Sequence, residues 1–273
     1  MKITGHISSR QNRVLVEASK LLMKKYRDEK GLFTVEGEKL CREACLCRLT
    51  FEGVFVTEKY LSSRPGEVEN ILAAAPDCPV WTVTEECLCK LTKQDSPEGI
   101  ICICRHIDKS EKTNKIYISM HQSEKRLGAL LCDRVSDPGN LGTVLRSARA
   151  FGLDLVSVSP DSADILSPKV MRAAMGAAFM ENIVVCDTKS QIMRLKELGF
   201  TVYAAVLGRE AVGLDEGVLA KKSAVVIGNE GQGLGEDVIA LCDKCLYIPM
   251  AKGSESLNAA VAASVIMYQM KLV

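Results

Sequence analysis

Between Leu130 and Ile248 the sequence alternates short apolar runs with helix-like segments. The runs are Leu130–Asp133, Asp154–Val158, Ile183–Cys186, Val202–Val206, Ala224–Ile227 and Cys245–Ile248. Near-continuous apolar strands separated by helices are the pattern of a parallel sheet covered on both faces. A smaller α/β pattern precedes it. Leu32–Val35, Gly53–Val56, Pro79–Val83 and Gly99–Cys104 read as strands, with helical stretches such as Gly37–Cys47 and Gly66–Ala75 between them. The polar stretch HIDKSEKTNK (His106–Lys115) then reads as a linker. The expected organisation is α/β with two domains: 1–105, a linker over 106–121, and 122–273. A chain of 273 residues is long enough for both.

Composition excludes several classes. Thirty-five basic and 34 acidic residues leave a net charge of +1, so any nucleic-acid surface must be local. Residues 1–30 are the local exception, with eight basic residues against three acidic ones. Val14, Ala18, Leu21 and Leu22 recur at helical spacing there, which predicts an amphipathic helix with a basic face. Arg10, Arg13, Lys24, Lys25 and Arg27 are the candidate phosphate contacts on it; a plain solvated face fits the same spacing. Of the twelve cysteines, only Cys242 and Cys245 have C-x-x-C spacing, and no second such pair completes a four-ligand set. The expectation is reduced thiols packed as small hydrophobes, no metal, and a cytoplasmic location. The first residues, MKITGHISSRQNR, show no apolar signal segment, and no apolar run approaches the ~20 residues that span a membrane.

Three loops in the second half carry the polar chemistry. The first is DPGNLGTVLRSARAFG (Asp137–Gly152). Asn140 is expected to cap the helix, with Leu141, Val144, Leu145 and Ala148 on one face. Gly142, Arg146 and Arg149 fall on the other, two cations beside a bare backbone patch. The second is VVIGNEGQGLGEDV (Val225–Val238), a strand, a glycine turn and a helix. That order also suits a dinucleotide-binding turn. Against a nicotinamide-dependent oxidoreductase, the glycine spacing is G-x-x-G-x-G-x-G and the next strand ends in IPM with no acidic residue. Only 38 residues follow Gly235, too few for the remaining βαβ units. The third is IPMAKGSESLNAAVAASVIMYQM (Ile248–Met270), where a polar loop with Gly253, Ser254 and Ser256 leads into a helix rich in small residues. Ser256 or Asn258 is expected to cap that helix.

The ordered set N-L-G-T-V-L-R, I-G-N-E-G-Q-G-L and I-P-M…S-L-N-A-A-V-A resembles the three motifs of the SpoU (TrmH-like) RNA ribose methyltransferases of the SPOUT class. The first half is similar to that family's substrate-binding domain, through S-R-Q-N at Ser9–Asn12, K-Y-R…G-L-F-T-V-E-G-E-K-L around Lys25–Leu40, and S-P-E-G-I at Ser96–Ile100. The resemblance implies a small, ribosomal-protein-like RNA-binding domain followed by a methyltransferase domain with a deep trefoil knot. It implies S-adenosyl-L-methionine as cofactor, ribosomal RNA of the 23S type ahead of tRNA as substrate, and a homodimer through the C-terminal domain. A non-catalytic RNA-binding protein with a knotted cofactor domain is the alternative.

The resemblance also assigns residues. Arg146 is placed as the catalytic residue. A guanidinium keeps its proton at ordinary pH, which leaves two roles: relaying the ribose proton to an RNA phosphate, or stabilising the developing alkoxide by its charge. Asn140 would orient Arg146 or the ribose, Glu230 would fix the loop or the arginine, and Ser256 and Asn258 would shape the site. Leu207, Gly228, Ile248, Met250 and Leu257 are expected to line the cofactor pocket. Arg172 is a further RNA contact, in a segment R-A-A-M-G that has Ala174 where the family has serine. His6, His106 and His121 lie outside all three motifs.

Overall fold

The computed structural model describes residues 3–106, 110–179, 182–208, 211–214, 218–251, 253 and 256–272. The chain divides into two compact units, Met1–Ile107 with Leu166–Phe179, and Asp108–Ile165 with Met180–Val273. Among the described residues no helix is long and apolar enough to cross a membrane.

The first unit is built on five strands, β1 (Gly5–Ile7), β2 (Leu32–Glu36), β3 (Phe51–Thr57), β4 (Val80–Val83) and β5 (Ile100–Arg105), in the order β1-β4-β3-β5-β2. Strands β1, β4 and β3 are parallel, and β5 runs antiparallel to β3 and β2. Its helices are α1 (Arg13–Ser19), α2 (Lys24–Lys30), α3 (Glu38–Leu46), α4 (Glu58–Ser63), α5 (Pro65–Ala74) and α6 (Glu85–Cys89). Asn12 starts α1 by accepting from the Val14 amide at 2.9 Å. Leu15, Ala18 and Leu21 then enter a core with Phe55, Leu88 and Ile101. The continuous basic helix expected over this region is interrupted. A 3-10 turn at Lys20–Leu22 leads to an extended Met23, and α2 restarts the helix in a new direction. The apolar contact shifts with it, from Val14, which is exposed, to Leu15.

The second unit holds a seven-stranded, all-parallel sheet. Its strands are β6 (Leu127–Cys132), β7 (Leu155–Val158), β8 (Ile183–Val185), β9 (Thr201–Ala205), β10 (Val212–Gly213), β11 (Lys222–Ile227) and β12 (Lys244–Tyr247), in the order β10-β12-β9-β11-β6-β7-β8. Helices α7 (Ser110–Gln122), α8 (Pro138–Phe151), α10 (Thr188–Glu197), α11 (Glu236–Ile239) and α12 (Ala259–Leu272) belong to it; α9 (Pro168–Ala174), between β7 and β8, clusters with the first unit. All six apolar runs overlap strands of this sheet; β7 and the last five residues of β11 are wholly buried, while β8 lies at the edge and β12 is only partly covered. The linker expected at 106–121 is corrected. Residues 107–109 lie outside the described residues, but most of the rest is α7, whose Tyr117 and Met120 join the core with Leu131, Val202 and Val226. The apolar residues, Ile116, Tyr117, Ile118 and Met120, are confined to one short stretch of an otherwise polar helix, a weak periodic signal, which is why the segment read as a connector.

All twelve cysteines are free thiols, five of them fully or almost fully buried in the first unit. Burial pushes the Cys132 thiol up to about 12 and that of Cys78 to about 11, so both stay protonated and pack as hydrophobes. Among the described residues no group of three or more His, Cys, Asp or Glu side chains is arranged to hold a metal ion.

Candidate active site

In an open parallel sheet the strand ends at the carboxyl edge leave a crevice for ligands. Here β11 and β6 are neighbours at the centre, and the loops that leave them carry the first two motifs. Helix α8 is capped by Asp137, whose Oδ1 accepts from the Asn140 amide at 2.8 Å, with Pro138 at the first helical position. This corrects the expectation that Asn140 is the cap. Its side chain is released from the helix end and reaches across to the other loops. Asn140 Nδ2 donates to Glu230 Oε1 at 3.0 Å, and Asn258 Nδ2 donates to Asn140 Oδ1 at 2.9 Å. Asn258 meanwhile caps α12, its Oδ1 accepting from the amides of Ala260 and Val261 at 2.9 and 3.3 Å. One chain of side-chain hydrogen bonds therefore joins all three loops.

Glu230 is the anchor of that chain. Its Oε2 accepts from the Ser136 amide and hydroxyl at 3.2 and 3.1 Å, and its Oε1 also accepts from the Asp137 amide at 3.2 Å. Partial burial opposes its charge, but the Asn140 amide and the backbone N–H donors outweigh it and hold the carboxyl at about 2. Glu230 is thus ionised at neutral pH and serves as an acceptor, not as a proton donor. The turn that carries it depends on Gly228. A Cβ there would lie 2.4 Å from the Gly233 carbonyl carbon and 2.6 Å from the Leu234 nitrogen, both backbone atoms. Gly233, at φ +67°, closes the same turn.

Beside the loops, the ends of β9 and β12 and the start of α12 line an open, mainly apolar cavity of about 160 Å³. Leu207, Ile248, Met250, Ser256 and Leu257 line it, together with Tyr247. Gly228 is not among these lining residues; its close contacts are to its own loop.

A family model for the SpoU rRNA methylase family matches residues 129–268, which contain all three loops and the cavity. The chain belongs to the SpoU rRNA methylase family. A second model, for an MRM3-like substrate binding domain, matches residues 12–102. The chain is 29% identical over 269 residues to the 23S rRNA (guanosine(2553)-2'-O)-methyltransferase of Bacillus subtilis (strain 168), covering 97% of this chain and 98% of that one. It is 31% identical over 175 residues to a 23S rRNA (guanosine-2'-O-)-methyltransferase of Coxiella burnetii, covering 64% and 69%. The crystal structure of an AdoMet-bound rRNA methyltransferase from Sinorhizobium meliloti superposes with a TM-score of 0.82 at 25% identity, covering 98% of this chain and 97% of that one.

In this SpoU methylase the remaining sequence-expected residues fall into distinct settings. Arg146 stands exposed on α8, and no hydrogen bond or ion pair joins its guanidinium to a described residue. Gly142 is buried with Leu141 and Val144, so the bare patch expected beside the arginines is covered. Arg10, Arg13, Lys24 and Lys25 are exposed in the first unit. Arg27 is not available there: it is 3% exposed, and its Nη1 donates to the Leu21 carbonyl at 2.7 Å. Arg172 Nη1 lies 3.2 Å from the buried Glu36 carboxylate, which Thr92 Oγ1 also holds at 2.7 Å, so its cation is already paired within the first unit. Ser254 lies outside the described residues. Three further residues, Arg134, Ser136 and Asp137, organise the loops. The Asp-Pro pair was a readable cap signal for Asp137; nothing in the periodicity marks the other two.

Proposed function

We propose that this chain transfers a methyl group from S-adenosyl-L-methionine to a ribose 2′-hydroxyl of RNA, with large-subunit, 23S-type ribosomal RNA as substrate. The observation that carries the reading is the Asn258–Asn140–Glu230 chain, which locks three loops beside an open apolar cavity. The walls suit the cofactor: Leu207, Ile248, Met250 and Leu257 supply apolar contact, and strand-end backbone offers N–H and C=O groups to a nucleoside edge. When bound, the sulfonium supplies an electrophilic methyl and a good leaving group.

The protein's own residues orient and stabilise. Asn140, gripped at both ends of its amide, presents a fixed edge to the ribose or to Arg146. Arg146, with no ion-pair partner among the described residues, keeps its positive charge at the surface of α8, suited to a developing alkoxide or to a neighbouring phosphate that takes the proton. Ser256 and Asn258 shape the mouth of the cavity. The first unit serves as the substrate-binding domain, with Arg10, Arg13, Lys24 and Lys25 on RNA phosphates. The wider reading includes the family's deep trefoil knot, supported by α12 packing back on α8, β6 and β11, and a homodimer through the C-terminal domain. Twelve free thiols fit a reducing, cytoplasmic setting.

The deciding experiment incubates the protein with S-adenosylmethionine and unmodified large-subunit ribosomal RNA, then maps ribose methylation. One new 2′-O-methyl position is expected. Calorimetry runs alongside with S-adenosylmethionine and with NAD. Tight cofactor binding without transfer to any RNA would favour the non-catalytic alternative, and binding of NAD alone would sink both.

A further inference from the structure

Arg134 follows β6 directly and has a left-handed backbone, φ +54°, a conformation in which non-glycine residues are strained. Such strain persists where surrounding contacts over-determine it, and Arg134 is bonded to two other loops and to its own neighbour Asp133. Its amide donates to Ser159 Oγ, after β7, at 2.8 Å. Its carbonyl accepts from Asn229 Nδ2, after β11, at 2.9 Å. Its guanidinium lies between two anchors. Nε donates to Asp133 Oδ2 at 3.0 Å, and that buried carboxylate is fixed in turn by Thr188 Oγ1 at 2.7 Å. Nη2 donates to the Gly233 carbonyl at 3.3 Å, and Nη1 reaches Gln232 Oε1 at 3.5 Å.

Asn229 and Gly233 pair through their backbones, and Asn229 Oδ1 accepts from the amides of Gly231 and Gln232. Glu230 sits inside this turn. Both ends of the turn are therefore tied to one residue, through its carbonyl at Asn229 and its guanidinium at Gly233.

We propose that Arg134 is a positioning residue for the methyl-transfer site. It fastens the turn that carries Glu230 to the end of β6, and so sets where Glu230 meets Ser136, Asp137 and Asn140. The left-handed backbone aims the guanidinium back across the loop. The catalytic half of this inference rests on the proposed methyltransferase activity; the fastening itself does not.

The test uses the full-length chain with Arg134→Gly, which accepts the left-handed backbone without strain and removes the whole side chain, guanidinium included. Arg134→Lys, Glu230→Gln and the Arg134→Gly/Glu230→Gln double variant complete the set. Hydrogen exchange at the Gly231–Gly233 amides reads the fastening without any substrate. Initial rates on large-subunit ribosomal RNA, with calorimetry of S-adenosylmethionine, read its consequence. For Arg134→Gly the expected result is about tenfold faster exchange in that turn, cofactor affinity within about twofold, and kcat lower by about tenfold or more with KM little changed. Arg134→Lys should recover part of the rate. Adding Arg134→Gly to Glu230→Gln should cause no further loss, because both act through one element. Unchanged exchange overturns the proposal, as do losses that multiply in the double variant. A wild-type protein that methylates no RNA would refute the activity instead, leaving the exchange result to decide the fastening.

Discussion

At the residue scale, Asn140 and Glu230 are held in place while Arg146 has no bonded partner among the described residues. Asn140 has a donor bound to Glu230 and an acceptor bound by Asn258, so its amide has one orientation. Arg146 has no such partner among the described residues, and its charge is available to an incoming group. Arg146→Ala should therefore leave the affinity for S-adenosylmethionine within about twofold in calorimetry while lowering kcat by roughly 100-fold, the usual loss for one transition-state donor. A parallel loss of cofactor binding would place Arg146 in the cofactor pocket instead. Glu230 makes a separate prediction. Its folded carboxyl sits at about 2, below its ordinary 4.5, so its contribution to stability is full above pH 4.5 and fades as pH falls towards 2. The Tm gap between wild type and Glu230→Gln should be constant from pH 6 to 8 and narrow progressively between about pH 5 and 3. A gap that widened on acidification would contradict the hydrogen-bond account. Much of this site was legible: Asn140, Glu230 and Asn258 stand at motif positions, and the structure joins them directly. What escaped was the partner logic. Asn140 read as a cap because caps favour asparagine, yet Pro138 after Asp137 moves the helix start three residues earlier.

At the element scale, the basic amino-terminal region illustrates why charge counts overstate a surface. Glu17 draws in two of the eight cations, Lys20 at 2.6 Å and Lys30 at 2.5 Å, and its carboxyl is held at about 2, first by the Lys20 hydrogen bond and then by that of Lys30. Arg27 turns inward to the Leu21 carbonyl, where it joins α2 to the preceding 3-10 turn. None of this is readable from spacing, since a side chain's choice between water and a backbone carbonyl depends on the turn at Met23. The structure leaves Lys24 and Lys25 exposed at the start of α2. Converting both to Glu should weaken RNA binding and make the log–log salt slope shallower by roughly 1.4 to 1.8, at about 0.7–0.9 for each phosphate no longer neutralised. Arg27→Ala should do the reverse, lowering the Tm with little change in slope. Filter-binding titrations across a salt series, paired with thermal melts, distinguish the two. An unchanged slope for the double Lys variant would return α2 to an ordinary solvated helix.

At the scale of the whole molecule, the parallel sheet was foreseeable because each apolar run had to be covered on both faces. The order β10-β12-β9-β11-β6-β7-β8 was not, since strand order depends on which helices cross which face. The same limit applies to the last helix. Its small residues announced close packing without saying against what. The structure puts Ala260, Ala263, Met267 and Met270 in the interior and leaves Val261, Val265 and Tyr268 exposed at i, i+4 and i+7, a single outward stripe. Tyr268 extends it to Phe151 of α8, ring centroids 5.7 Å apart. A contiguous apolar stripe of this kind suits an interaction surface, and the proposed two-fold dimer would present it to a second copy of itself. Val265→Asp places a charge in the middle of that stripe while pointing away from the core. Sedimentation of the wild type should report twice the 29.7 kDa chain mass at micromolar concentration, and the variant should report the single chain mass with an unchanged Tm onset for the monomer core. A wild type that sediments as a monomer would exclude the dimer, and a variant that stays dimeric would move the interface off α12.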